Sequence, residues 1–104
     1  MKSYKIVLDR DALSDLKESE DWYNKRVANL GTRFKNVVKK QISALRKNAG
    51  GYNVRYRKVH CMPIKKLPFL VHFTVDEVNL TIKVLAIIHT SRSPDIWDDK
   101  TQNN

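Results

Sequence analysis

Residues 80–88 read Leu-Thr-Ile-Lys-Val-Leu-Ala-Ile-Ile, and this stretch decides the fold. In an extended chain Leu80, Ile82, Val84, Ala86 and Ile88 fall on one face, with Leu85 and Ile87 on the other. A strand that is apolar on both faces is a central strand covered on both sides. Just upstream, Asp76-Glu77-Val78-Asn79 carries hairpin chemistry, and before it Phe69, Val71, Phe73 and Val75 line one side of a partner strand. Pro63 and Pro68 bracket a Lys65-Lys66 connection, because proline is poorly tolerated inside a hydrogen-bonded ladder. Earlier still, Val54, Tyr56 and Lys58 alternate with Arg55, Arg57 and Val59, which predicts one half-exposed strand.

The N-terminal half follows a different period. Tyr4 to Leu8 predicts a first strand, after which Asp9 or Asp11 can cap a helix. An apolar stripe at Leu13, Leu16, Tyr23, Val27 and Leu30 has helical spacing, interrupted by Glu20 and flanked by Trp22. Gly31 is expected to end this helix, since a left-handed C-terminal residue is least strained as glycine. A second stripe at Phe34, Val37, Val38, Ile42 and Leu45 is closed by Gly50-Gly51. The order is strand, antiparallel helical hairpin, then strands. It predicts an α+β domain with helices packed on a mostly antiparallel sheet. A single domain over residues 1–97 and a polar tail over 98–104 are expected.

Charge is segregated along the chain. Of 20 Lys and Arg against 11 Asp and Glu, the stretch 31–75 holds Arg33, Lys35, Lys39, Lys40, Arg46, Lys47, Arg55, Arg57, Lys58, Lys65 and Lys66. That stretch contains no acid, so nearly all of the net +9 sits in the middle of the sequence. A one-signed field of this length attracts a polyanion or an acidic protein partner. The competing reading is a solvated face that serves solubility alone. No apolar run approaches the roughly 20 residues of a membrane span, and the N-terminal strand pattern is too short for a secretion signal. A cytoplasmic protein without a membrane partner is expected. Cys61 is the only cysteine, and the three histidines have no acidic partners at ligand spacing. Neither a metal nor a cofactor is expected.

Several segments together resemble a known family. Asp21-Trp22-Tyr23 followed by Leu30-Gly31-Thr32-Arg33-Phe34 looks like the first-half signature of ParE-type toxins. Tyr56-Arg57-Lys58-Val59, Leu67-Pro68-Phe69, the run Val84-Leu85-Ala86-Ile87-Ile88-His89-Thr90-Ser91-Arg92-Ser93-Pro94, and Trp97 are similar to its second half. The resemblance spans about residues 4–97 and implies the RelE/ParE superfamily of toxins from bacterial type II toxin–antitoxin modules. It implies a cognate antitoxin that wraps the toxin with an acidic segment. It also implies one of two polyanionic targets. ParE-like members poison DNA gyrase and are associated with plasmid stabilisation, whereas RelE-like members cut messenger RNA on the ribosome. An inactive homologue that retains only antitoxin binding is a third possibility.

Metal-independent RNA cleavage needs a base for the 2′-hydroxyl, an acid for the leaving oxygen and cations for the phosphorane charge. The resemblance places a C-terminal tyrosine of the RelE-like nucleases at Trp97, and an indole cannot shuttle a proton at neutral pH. His60 also stands where many relatives carry an arginine. Both departures favour the gyrase-directed branch, or a member whose catalytic function has drifted. If the chain is an enzyme, it is a metal-independent endoribonuclease with Lys65, Lys66, His89 and Arg92 as the candidate catalytic groups. Candidate contacts to the target or to nucleic acid are Arg55, Arg57, Lys65, Lys66, Arg92 and Trp97. Arg55 and Arg57 are expected on one strand face, forming a phosphate track with Lys65 and Lys66. The antitoxin is expected over that strand and the apolar groove beside the helical hairpin. Against these readings, His89 can simply cap the strand, Arg92 can pair with Asp95, Asp98 or Asp99, and His72 is a structural or surface residue.

Overall fold

The computed structural model describes residues 3–48, 51–52 and 54–91. Its elements are β1 (Lys5–Leu8), α1 (Arg10–Arg26), α2 (Leu30–Asn48), β2 (Val54–Tyr56), β3 (Val59–Pro63), β4 (Phe69–Asp76) and β5 (Thr81–His89). The five strands form one sheet in the order β1-β5-β4-β3-β2. β1 runs parallel to β5, and every other neighbouring pair is antiparallel. Both helices lie on one face of this sheet, where Leu16, Phe34, Val38, Ile42 and Leu45 meet Met62, Val71, Phe73, Ile82 and Val84. Among the described residues no helix is long and apolar enough to cross a membrane.

The central strand is β5, buried on both faces over Val84–Ile88. Its alternation is not the expected one. Phe73 pairs with Val84 but His72 pairs with Ala86, so Leu85 is an extra residue on β5. A bulge of this kind shifts every later side chain to the other face. Ile82, Val84 and Ile87 therefore join the helix-facing core, whereas Ala86 and Ile88 do not. β4 keeps its simple period: Phe69, Val71 and Phe73 face the helices. His72 points the other way and is fully buried. Its Nδ1 lies 2.9 Å from the Tyr56 hydroxyl and 3.4 Å from Cys61 Sγ, a structural setting. Burial pushes the Cys61 thiol up to about 11, and the Arg55 charge offsets part of that rise.

The helical hairpin turns earlier than the stripe implied. α1 ends at Arg26, Val27 is the extended residue after it, and the left-handed residue of the turn is Asn29, at φ 67°. Gly31 does not terminate α1. It lies buried in the first turn of α2 and has no positive φ. Its role is close approach, because a Cβ there would sit 1.9 Å from the Glu20 carbonyl oxygen and 2.8 Å from Asn24 Cγ. That proximity lets Asn24 Oδ1 accept hydrogen bonds from the Gly31 amide at 2.7 Å and the Thr32 amide at 3.3 Å. A side chain of one helix thus satisfies the free N–H groups of the next. Asp9 occupies the N-cap position of α1 without a side-chain cap; its carboxylate lies 3.8 Å from Lys83 Nζ instead. Leu13 and Val37, expected in the stripes, are 52% and 43% exposed on the outer surface of the hairpin.

The segment 54–59 is not one strand. β2 and β3 form a tight hairpin whose turn residues, Arg57 and Lys58, have φ of 39° and 63°. Two successive left-handed residues match the twist of flanking strands, although Asn-Gly is the usual pair at such positions. Arg57 therefore lies in a turn rather than beside Arg55 on a strand face. α2 ends at Asn48; Gly50, expected at its close, lies outside the described residues.

Candidate functional site

The sheet end formed by the β3–β4 connection and the last residues of β5 gathers most of the described candidates. The connection is a compact turn: Ile64 N–H donates to the Phe69 carbonyl at 3.0 Å and Leu67 N–H to the Ile64 carbonyl at 3.2 Å. Lys66 takes φ 65°, and both Lys65 and Lys66 are exposed. Gln41 of α2 clamps this turn from the side. Its Nε2 donates to the Pro63 carbonyl at 2.7 Å, and its Oε1 accepts from the Lys65 amide at 3.0 Å. The two ammonium groups thus project from a fixed backbone.

β5 reaches the same end. His89 stands opposite Phe69 in the β4–β5 register, and Thr90 N–H donates to the Pro68 carbonyl at 2.8 Å. The His89 ring contacts Phe69 edge-on at 5.1 Å between centroids. That contact closes a ladder of rings: Trp22 to Tyr23 at 5.0 Å, Tyr23 to Phe34 at 5.1 Å, and Phe34 to Phe69 at 5.0 Å. Aromatic pairs at such distances add about 0.5–1.5 kcal/mol each beyond their burial. The ladder ties α1, α2, β4 and the end of β5 into one rigid unit. Its outer rung, Trp22, is half-exposed, and the Arg26 guanidinium sits 3.7 Å from the indole centroid.

His89 Nδ1 accepts the Ser91 amide at 3.0 Å. This assigns the neutral imidazole proton to Nε2, leaving the outer nitrogen a donor. To act as a general base through Nε2, the ring would first have to lose the Ser91 bond. As placed, His89 is suited to donating a hydrogen bond to a phosphate or a carbonyl. A cleft of about 630 Å³ lies between α1 and the end of β5, lined by Glu18, Trp22, Tyr23, Phe69, Ile88 and His89 among others. At its base Asp15 Oδ2 accepts the Ile87 amide at 2.9 Å. β1 pairs with β5 only through Val84, so this carboxylate takes over where the neighbouring strand ends. A buried aspartate on α1 is thereby explained.

The structure places Lys65, Lys66 and His89 at the same end of the sheet. Arg55 and Arg57 sit on the β2–β3 hairpin, at the opposite end of β3 from Lys65, so the four cations do not form one track. Arg55 acts on Cys61, which faces away from the helices. The expected antitoxin surface is therefore divided between the two sheet faces. Arg92 and Trp97, with Asp95, Asp98 and Asp99, lie outside the described residues. Gln41 and Asp15 escaped the sequence reading. A polar residue at core-side helical spacing was the available signal in both cases.

Solved structures share this fold. A chromosomal ParDE toxin–antitoxin system from P. aeruginosa superposes with TM-score 0.75 at 19% identity, covering 84% of this chain and 96% of that one. A mutant of the E. coli toxin RelE in the free state gives TM-score 0.70 at 10% identity, with 97% of each chain covered. The RelBE2 toxin–antitoxin complex of Mycobacterium tuberculosis gives 0.62 at 14% identity, covering 84% of this chain and 98% of that chain. These define the RelE/ParE class of α+β fold. No curated protein matches the sequence. The family model of the ParE toxin of the type II toxin–antitoxin system parDE matches residues 6–94, and the chain belongs to that family.

Proposed function

We propose that this toxin arrests growth by binding DNA gyrase, as a contact inhibitor without chemistry of its own, and that a cognate antitoxin neutralises it. The match to the ParE family over residues 6–94 carries this reading. The His89 hydrogen bond supports it, because the imidazole at the sheet end that carries Lys65 and Lys66 is held as a donor and not as a base. Lys65, Lys66 and His89 then serve as target contacts on a rigid sheet end. A role in plasmid stabilisation is part of the same proposal. The antitoxin's acidic segment would follow the exposed Leu13 and Val37 of the helical layer and round the β2 edge to Arg55 and Arg57. Exposed apolar surface next to cations suits an amphipathic acidic chain.

Purified gyrase provides the test. The chain should inhibit supercoiling, the antitoxin should relieve it, and Lys65→Ala or Lys66→Ala should each weaken inhibition only severalfold. A second reading, a ribosome-dependent endoribonuclease, is favoured by two lysines and His89 sharing one sheet end and by the likeness to RelE over 97% of the chain. It requires messenger RNA cleavage on ribosomes and a loss of orders of magnitude on removing one catalytic cation. Cleavage together with an unaffected gyrase would replace the first reading by the second. Antitoxin binding without either activity would identify an inactive homologue.

A further inference from the structure

α2 carries six cations and no acid over its 19 residues, Leu30–Asn48. Lys35 is paired with Glu20 at 3.1 Å. Arg33, Lys39, Lys40, Arg46 and Lys47 are exposed, and among the described residues none of them has a carboxylate partner. Helix stability accounts for only some of these charges. Arg46 and Lys47 complement the dipole in the last turn, but Arg33 occupies the first turn, where a cation is unfavourable.

The arrangement is regular. Arg33, Lys40 and Lys47 recur every seventh residue, which aligns them on one face of α2 at a rise of about 10.5 Å per interval. The β3–β4 turn packs on the flank of the same helix, because Gln41, about 100° round α2 from Lys40, holds the Lys65 amide and the Pro63 carbonyl. Lys65 and Lys66 therefore stand on the flank of the row, and among the described residues none of the five cations is paired with a carboxylate. A duplex presents one phosphate charge per about 1.7 Å of axis, a density that a row of unpaired cations complements whatever the base sequence. Among the described residues no exposed aromatic ring lies on this face of α2 for stacking unpaired bases: Phe34 is buried, and the exposed Trp22 belongs to α1 and is stacked with Arg26.

We propose that the outer face of α2, with the Lys65-Lys66 turn, is a docking surface for the phosphate backbone of duplex DNA, formed by Arg33, Lys40, Lys47, Lys65 and Lys66. Binding there is independent of base sequence and does not depend on which target the toxin poisons. Five phosphate contacts give a slope of about −4.5 in log affinity against log salt. The experiment is fluorescence anisotropy of the full chain with a labelled DNA duplex of about 20 base pairs, titrated at several salt concentrations. Replacing Arg33, Lys40 and Lys47 together by Gln should bring the slope to about −1.8. Replacing Lys5, Arg10 and Lys17 by Gln removes the same net charge from β1 and α1 and should leave the slope unchanged. Circular dichroism checks that both triple variants keep the wild-type fold. Equal losses in the two variants would mean that net charge alone drives binding and would overturn the proposal. A wild-type slope near zero, or tighter binding of single-stranded DNA or of an RNA duplex, would overturn it as well.

Discussion

Replacing Gly31 by alanine tests the packing on which the helical hairpin rests. On an isolated helix the change would stabilise by about 1 kcal/mol, because glycine is the poorer helix former. Here the new methyl would lie 1.9 Å from the Glu20 carbonyl oxygen and 2.7 Å from its carbon, which are backbone atoms that cannot rotate away. α1 and α2 must separate, at an overpacking cost of about 1–3 kcal/mol. Separation also draws Asn24 from the Gly31 and Thr32 amides, a further loss of about 1 kcal/mol on the scale of helix caps. Set against the propensity gain, the net destabilisation is about 2 kcal/mol, or a drop in Tm on the order of 10 °C for a chain of this size. Thermal unfolding followed by circular dichroism measures it. Gly51→Ala is the control, since the atoms nearest its Cβ would be those of the Asn48 side chain, from 2.9 Å, which can move. An alanine at position 31 that leaves the protein as stable as wild type, or more so, would refute the close-approach argument.

Other outcomes follow from the buried polar groups. Asp15→Ala strands the Ile87 amide and should cost about 1–3 kcal/mol, with faster amide exchange at Ile87, whereas Asp15→Asn keeps an acceptor and should lose less. Equal stability of wild type and Asp15→Ala would count against this role. Because burial raises the Cys61 thiol from 9.0 to about 11, the unfolded chain releases that proton first as pH rises. Its stabilising contribution is complete below pH 9.0 and is lost as pH climbs towards 11, so denaturant midpoints should fall across that window and fall less in Cys61→Ala. The opposite limb involves Asp76, whose carboxyl the Asn79 and Val78 hydrogen bonds hold below the usual range. That contribution is present above the unfolded value of 3.8 and disappears as pH falls through the lower folded value. Asp76→Asn should flatten the acid limb of the stability profile, and an unchanged limb would exclude the carboxylate as its source.

The order of elements was legible because apolar spacing changes from a helical period to a period of two after Tyr52, and side-chain burial enforces both periods. What escaped depends on contacts between distant segments. The bulge at Leu85 is a mismatch between two strands, so neither β4 nor β5 alone contains it. Arg57-Lys58 turns the β2–β3 hairpin without the Gly or Asn that normally marks such a turn. Gly31 has two physical uses, a left-handed helix end and close helix contact, and only the spatial position of Glu20 separates them. Asn29 was the better local signal, as asparagine tolerates a left-handed backbone. In the candidate site, the exposed lysines of a proline-bounded turn could be found from sequence. Their clamp, Gln41, could not, because it comes from another element of the fold.

Brief induction of this ParE-family chain in a growing bacterium tests most directly the proposal that it acts on DNA gyrase by contact. Thymidine and methionine incorporation would be followed together over the first minutes. Thymidine incorporation should fall first while methionine incorporation continues. Translation stopping first would contradict the gyrase account and place the toxin on the ribosome.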